Sequence, residues 1–202
     1  MNYISLDLEF NGAFDFERGK QGVSDEACHH EVIQIGAVKM NEERDITEKF
    51  NAYVKPSIYP RLNPFISEVI KMKTSDFSSA DGFEKAFTSF KKFLGSEDSV
   101  FIVWGDSDLP ILYENISYYG LVREPLILRF INIQPYVGRL LGRDGGRQIS
   151  LKNAVEQLGI ETSEHYHNAL YDAYYTAKIF EHIKPEGAEL KIFCSNHYKN
   201  LK

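Results

Sequence analysis

Cysteine is nearly absent from this sequence, whose 202 residues include only Cys28 and Cys194. The two residues are isolated and far apart, and neither belongs to a CxxC pair. This usage argues against a disulfide framework and against a cysteine-ligated metal site. We therefore expect free thiols and a reducing, cytoplasmic environment.

Long apolar runs and an excess of basic charge are also missing. No segment approaches the length of a membrane span, and residues 1–10 lack the basic and hydrophobic regions of an export signal. Lysine and arginine number 23 against 29 aspartates and glutamates, a formal charge of −6. We expect no membrane association, and the charge argues against a protein that holds nucleic acid mainly through a broad basic surface.

What is present is the composition of an ordinary globular domain, with 43% hydrophobic and 26% charged residues. A chain of this length buries a sizeable core without disulfides. No internal repeat, low-complexity tract or linker divides it. We predict one domain over residues 1–184, followed by an appended tail at 185–202.

Apolar residues follow strand periodicity in some segments and helical periodicity in others. After a first strand that reaches Phe10, further strands are predicted in EVIQIGAVKM (31–40), TEKFNAYVKP (47–56), SVFIVWG (99–105) and LILRFINI (126–133). Residues 11–30 are polar and aperiodic, which predicts a long surface loop. Helical spacing occurs within residues 60–94, 107–120, 149–160 and 168–183. These elements predict an α/β fold that opens with an antiparallel meander and continues as a mixed sheet covered by helices.

Two carboxylates interrupt the apolar first strand, in the stretch YISLDLEFNG (3–12). Side chains alternate faces along a strand, so Asp7 and Glu9 point the same way, about 7 Å apart along the backbone. Like charges on one face of a buried strand repel each other and lose hydration, which a fold tolerates when a cation lies between them. The alternative is an edge strand with one polar face.

Two further acids stand near element boundaries. Asp108 follows the buried strand SVFIVWG, and Asp172 lies in the last predicted helix. Taken alone, Asp108 is also explained as part of a helix cap formed with Asp106 and Ser107. Asp172 alone is also explained as a solvated helix position.

Three motifs, in their order along the chain, resemble the DEDDh family of exonucleases in the ribonuclease-H-like superfamily. They are DLE (7–9), GDSDLPIL (105–112) and HNALYDA (167–173), and the similarity runs from residue 3 to about 182. With FINIQ (130–134) and SLKNAVEQLGI (150–160), the chain is most similar to the branch of histone-mRNA 3′ exonucleases and KapD-like proteins. The resemblance implies a mixed five-stranded sheet with one antiparallel strand, flanked by helices.

The resemblance also implies that Asp7, Glu9, Asp108 and Asp172 hold two divalent ions, Mg²⁺ or Mn²⁺. Hard oxygen ligands suit these ions, and two of them about 4 Å apart stabilise both the attacking and the leaving oxygen of a displacement at phosphorus. In this scheme Asp7 bridges the ions, Glu9 and Asp172 complete the tighter site, and Asp108 holds the second ion through water.

The stretch HYH offers two candidates for the histidine of the family, His165 and His167. On a continuous helix His165 would share a face with Asp172. In the family, however, the histidine lies in the loop just ahead of the helix, and the HxxxxD spacing selects His167. A neutral imidazole there suits the general base that deprotonates the attacking water.

Contacts to the terminal nucleotide are predicted just beyond the acidic strand, at Phe10 and Asn11. An aromatic ring at position 10 is suited to stack on any base, although a core role explains it equally well. Relatives often carry a Leu-Thr-Gly-Ile-like stretch before the second motif, where this chain has residues 69–72. Met72 and His167 complete the predicted substrate contacts.

The expected function is therefore that of a metal-dependent 3′-to-5′ exonuclease, which removes 5′-mononucleotides from single-stranded RNA or DNA ends. A proofreading DNA exonuclease within a polymerase complex remains an alternative, as does a non-catalytic nucleic-acid-binding module of the same fold. The presence of all five catalytic residue types disfavours the binding module, because it has no use for a general base.

Overall fold

The computed structural model describes residues 2–96, 98–121, 127–143, 148–162, 166–185 and 189–194. Its strands are β1 (Asn2–Gly12), β2 (Phe14–Asp15), β3 (Lys20–Gln21), β4 (His30–Met40), β5 (Ile46–Tyr53), β6 (Ser99–Val103), β7 (Ile127–Asn132) and β8 (Lys191–Cys194). Its helices are α1 (Pro64–Ile70), α2 (Phe83–Leu94), α3 (Asp108–Tyr118), α4 (Gln134–Leu140), α5 (Leu151–Gln157) and α6 (Ala169–Ile183), and a 3₁₀ turn covers Thr74–Phe77.

Six strands form one mixed sheet in the order β5-β4-β1-β6-β7-β8. The pairs β1–β4 and β4–β5 are antiparallel, whereas β1–β6 and β6–β7 are parallel. This confirms the predicted α/β class and the opening meander. The described sheet has six strands rather than five, because β8 pairs antiparallel with β7 at the edge.

Side chains of β1 alternate between two separate cores. Ile4, Leu6 and Leu8 pack with α2 and α3 on one face. The other face is covered by α4, α5 and α6, and Ser5 of β1 points to α6, because its hydroxyl donates to the carbonyl of Ala173 at 2.7 Å. The odd-numbered residues of β1, including Asp7 and Glu9, therefore share the face on which α6 packs.

Helix α3 forms within the segment 107–120 that was predicted to be helical, and its apolar stripe is buried: Leu109, Leu112, Tyr113 and Ile116. The predicted helical region 60–94 is instead divided into α1, the 3₁₀ turn and α2. Helix α4 was not predicted, although Pro135 in its first turn is a helix-start signal. Among the described helices, none is both long and apolar enough to cross a bilayer.

One loop prediction is corrected by the fold. Residues 11–30 are not one irregular loop, because β1 continues to Gly12 and β2 pairs with β3 in a small hairpin. The boundary after residue 184 stays a prediction, but residues 191–194 of the expected tail lie within the sheet. Neither Cys28 nor Cys194 forms a disulfide bond within the described residues.

Candidate metal centre

Asp7 and Glu9 lie in the half of β1 that extends beyond its parallel partner. The β1–β6 pairing ends at Ser5 opposite Ile102, while the β1–β4 pairing continues and shifts register between Glu9 and Phe10. Such irregularities bend a strand and redirect the side chains next to them. Both carboxylates are half-buried.

Helix α6 carries Asp172 to this strand through an unusually close backbone contact. Gly36 lies opposite Asp7 in β4, and a Cβ atom at position 36 would stand 2.0 Å from the carbonyl carbon of Ala169. Only glycine therefore allows the first turn of α6 to rest directly on β4.

A glutamine of β4 fixes the start of the same helix. The Gln34 carboxamide accepts a hydrogen bond from the Ala169 amide at 3.2 Å and donates to the side chain of Asn168 at 3.2 Å. Asn168 in turn donates to the Tyr53 hydroxyl at 3.1 Å. Gln34, Gly36 and Asn168 were not predicted, and only the glycine in an otherwise apolar strand signals a close backbone approach in the sequence.

Three carboxylates converge as a result. One ligand oxygen from each of Asp7, Glu9 and Asp172 lies within 4.8 Å of the other two. Asp172 Oδ1 is buried and has no hydrogen-bond partner within the described structure. An orphaned carboxylate oxygen inside a cluster of carboxylates fits a hard divalent cation, because such an ion supplies the missing positive partner.

Asp108 approaches the cluster from the opposite core. It is 7% exposed, and its Oδ1 accepts a hydrogen bond from the Leu8 amide at 3.1 Å. The carboxylate therefore bonds to β1 between Asp7 and Glu9, beyond the end of β6. It lies outside the three-carboxylate group, and its own helix is preceded by Ser107 as the N-cap residue.

Burial raises the pKa of each of the four acids, and repulsion between carboxylates adds to this at Asp7, Glu9 and Asp108. Burial, reinforced by the charges of Asp108, Asp172 and Glu9, raises the pKa of Asp7 well above its ordinary range. Burial and the same kind of repulsion raise the pKa of Glu9 to about 8. Burial also raises the pKa of Asp108 to about 7 and that of Asp172 to about 6. Strongly shifted carboxyl groups gathered at one place are typical of a functional site.

His167 lies in the loop just before α6, as predicted. It is exposed, has a positive φ of 63°, and donates its backbone N–H to Asp172 Oδ2 at 3.0 Å. The backbone of the histidine is thereby tied to a carboxylate of the cluster. His165 lies outside the described residues.

The residues predicted to contact the terminal nucleotide differ in how deeply they are buried. Phe10 is half-buried, with its ring edge-to-face against His30 at 5.2 Å, and Met72 is half-buried against a small core with Ile33. Asn11 is fully buried. Its carboxamide donates to the carbonyls of Tyr59 and Arg61 and accepts from the Asn63 amide, so it positions the 59–63 segment.

Comparison with known families and curated proteins finds exonucleases. A family model described as Exonuclease (RNase_T) matches residues 4–180. The "Probable 3′-5′ exonuclease KapD" of Bacillus subtilis is 24% identical over 186 residues, which are 88% of this chain and 85% of that protein. The human "ERI1 exoribonuclease 2" is 25% identical over 189 residues, 81% of this chain but only 27% of that longer protein.

Solved structures share the fold. The nuclease domain of 3′hExo, described as a DEDDh family member bound to rAMP, superposes with a TM-score of 0.74 at 21% identity, covering 95% of this chain and 96% of that one. Exonuclease X in complex with 5′ overhanging duplex DNA superposes with a TM-score of 0.58 at 15% identity, covering 93% of this chain and 94% of that one.

Proposed function

Because this chain belongs to the RNase_T exonuclease family, we propose that it is a metal-dependent 3′-to-5′ exonuclease acting on single-stranded RNA or DNA ends. Two observations carry the metal dependence: the convergence of Asp7, Glu9 and Asp172, and the buried, unpartnered Oδ1 of Asp172. The relative from Bacillus subtilis bears the same activity in its name.

In this proposal Asp7, Glu9 and Asp172 bind divalent cations, Mg²⁺ or Mn²⁺, and Asp108 completes the set. When bound, such ions supply positive charge that stabilises the attacking and leaving oxygens of a displacement at phosphorus. Asp108 also holds β1 in position, because its carboxylate accepts the Leu8 amide between the two strand acids.

His167 is the proposed general base. It takes a proton from the water that attacks the terminal phosphodiester, and its exposed position before α6 leaves the imidazole accessible to substrate. The bond between phosphorus and the 3′ oxygen of the preceding nucleotide breaks, and that oxygen takes a proton from solvent. The products are a 5′-mononucleotide and a strand one residue shorter.

We further propose domain bounds, a cellular compartment and nucleotide contacts for this protein. Residues 1–184 constitute the catalytic domain, residues 191–194 of the following segment 185–202 add a strand to its sheet, and the protein works in the cytoplasm. Phe10 and Met72 contact the terminal nucleotide from their half-buried positions near the acidic strand.

Degradation of labelled oligonucleotides tests the function. RNA and DNA strands of one sequence, labelled at the 5′ end, are incubated with the protein in Mg²⁺, in Mn²⁺ and in EDTA. A ladder that shortens one nucleotide at a time with either metal, and not in EDTA, is expected. Internal cuts, release from the 5′ end or unchanged activity in EDTA contradict the proposal. The ratio of the degradation rates of the RNA and DNA strands also decides whether the protein prefers ribose or deoxyribose.

A further inference from the structure

Three phenylalanine rings cluster on the surface beyond the end of β1. The ring of Phe14 lies 5.0 Å from that of Phe16 and 6.1 Å from that of Phe65, centroid to centroid, and both pairs are edge-to-face. Phe65 is 65% exposed and Phe16 is 37% exposed. Helix α1 buries none of its residues, so Phe65 is not held there by a core. A contiguous group of exposed rings is typical of an interaction site.

A cation completes this cluster. The guanidinium of Arg61 lies 3.7 Å from the centroid of the Phe16 ring. Within the described part of the chain, Arg61 forms no ion pair with a carboxylate, whereas the hairpin residues Arg18 and Asp15 pair with each other. The rings and Arg61 therefore present flat apolar surfaces beside one positive charge that has no acidic partner there. We call these four residues the aromatic platform.

The platform is fixed to the strand that carries the acidic cluster. Asn11, two residues after Glu9, binds the backbone of the segment that contains Arg61 and leads into α1. Gly22 closes the hairpin against Phe14, where a Cβ atom would stand 2.9 Å from the Phe14 amide nitrogen. Phe14 follows Glu9 by five positions, so the chain places their Cα atoms at most about 17 Å apart. A few nucleotides span this distance.

We infer that the aromatic platform binds the bases and phosphates of a single strand immediately upstream of its terminal nucleotide. The inference rests on the proposed function and adds a substrate-binding surface to it. Exposed aromatic rings stack on any base, and an arginine beside them adds phosphate and cation–π contacts. A single strand carries a phosphate beside every base, so it uses both the exposed rings and the positive charge of Arg61, whereas a protein partner need not supply an anion there. The occupant is therefore nucleic acid.

Direct binding separates this inference from the proposed function. A fluorescent single-stranded DNA of about 12 nucleotides, within the usual site size of single-strand binders, is titrated in Ca²⁺ to suppress cleavage. Fluorescence anisotropy gives its Kd. Replacing both Phe16 and Phe65 with alanine should weaken binding by at least roughly 5- to 150-fold, the range for loss of one stacked base. Leu140→Ala, at an exposed apolar position on α4, is the matched control and should bind as wild type does.

The kind of contact is tested by single substitutions at Phe65 and at Arg61. Phe65→Tyr should keep wild-type affinity, whereas Phe65→Leu should bind as weakly as Phe65→Ala, because stacking needs a ring and apolarity alone does not suffice. Arg61→Gln should lower the slope of log Kd against log salt by about 0.7, the value for one phosphate contact on a single strand. Equal affinity of Phe65→Leu and wild type would overturn base stacking.

Hydrolysis of the p-nitrophenyl ester of thymidine 5′-monophosphate monitors the catalytic centre without upstream nucleotides. The double variant should hydrolyse this ester at the wild-type rate while losing affinity for the oligonucleotide. Unchanged oligonucleotide binding in the double variant, with the ester still cleaved, refutes the platform and leaves the proposed function intact. A wild-type protein that cleaves neither ester nor oligonucleotide refutes the proposed function, and the anisotropy result then decides the platform separately.

Discussion

At the scale of single residues, Asp7 has the largest number of acidic neighbours. The pKa of Asp7 is raised by burial and by all three other carboxylates. The pKa of Glu9 is raised by burial and by two of them, Asp172 and Asp108. Asp7 is therefore the carboxylate on which the repulsion converges. This position suits the bridging role that the family resemblance predicts for it.

Replacing Asp7 with asparagine should abolish hydrolysis and reduce the number of Mn²⁺ ions bound, since a neutral amide is a poor substitute for a bridging carboxylate. The same change removes repulsion, so the metal-free variant should melt at a higher temperature than metal-free wild type. Calorimetric titration and thermal melting in EDTA measure both effects. Glu84→Gln, which neutralises an exposed acid in the first turn of α2, should leave hydrolysis and metal binding unchanged and should not raise the melting temperature. If the variant bound the wild-type number of metal ions and kept activity within a few-fold of wild type, Asp7 would not be a metal ligand.

His167 is connected to the cluster through its backbone, so its side chain is open to substitution. His167→Ala should lower the chemical step by roughly two to four powers of ten, the usual loss for a general base. Binding of substrate in Ca²⁺ should persist, because the backbone bond to Asp172 does not need the imidazole. Single-turnover assays separate the two effects. His165→Ala is the matched control, and a larger loss there than at His167 would show that the motif is misaligned.

At the scale of secondary-structure elements, the site depends on how α6 packs on β4. The helix contributes only Asp172 to the cluster, but its first turn lies directly over Gly36 and its start is bonded to Gln34. Ser5 fixes the next turn to β1. These contacts decide whether Asp172 reaches the strand acids.

Gly36→Ala should therefore displace α6 and impair metal binding and stability together. The added methyl group would meet backbone at 2.0 Å, which a side-chain rotation does not relieve, so we expect a loss of about 3 kcal/mol or more in unfolding free energy, the upper end for overpacking. Urea unfolding gives this value. Gly82→Ala, with no atom within 4 Å of its new Cβ, should cost less than about 1 kcal/mol. Comparable losses for the two variants would contradict the close contact.

At the scale of the whole molecule, the clustered carboxylates link stability to pH and to metal. The folded chain holds protons on Glu9, Asp108 and Asp172 up to pH values near 8, 7 and 6, whereas the unfolded chain releases them near pH 4. Between these limits the folded state binds more protons than the unfolded state. Raising the pH therefore favours unfolding of the metal-free protein.

Melting in EDTA should accordingly occur at lower temperature as pH rises from about 5 to 8. Mn²⁺ should raise the melting temperature, and should raise it more at pH 8 than at pH 6, because metal competes with protons for the carboxylates and binds only the folded site. Differential scanning fluorimetry over a grid of pH and metal measures this. An EDTA profile that is flat or rises with pH, or no shift at saturating Mn²⁺, would contradict a preformed acidic cluster.

The local properties of this protein were determined by its sequence. Alternation along β1 is a property of any extended strand, so the common face of Asp7 and Glu9 followed from their spacing alone. The buried stripe of α3 followed in the same way from helical periodicity. The order of the three motifs identified the family, and with it four carboxylates that no local rule would have grouped.

Only the tertiary structure decided how distant segments meet. Asp172 joins Asp7 and Glu9 because Gly36 admits the helix backbone, and Asn11 is buried because the 59–63 segment folds over it. The sixth strand and the aromatic platform likewise arise from pairing and packing between segments far apart in the chain. The physical reason is that periodicity specifies which face a residue occupies, whereas the partner on that face depends on close packing and on hydrogen bonds that form only when the chain is folded.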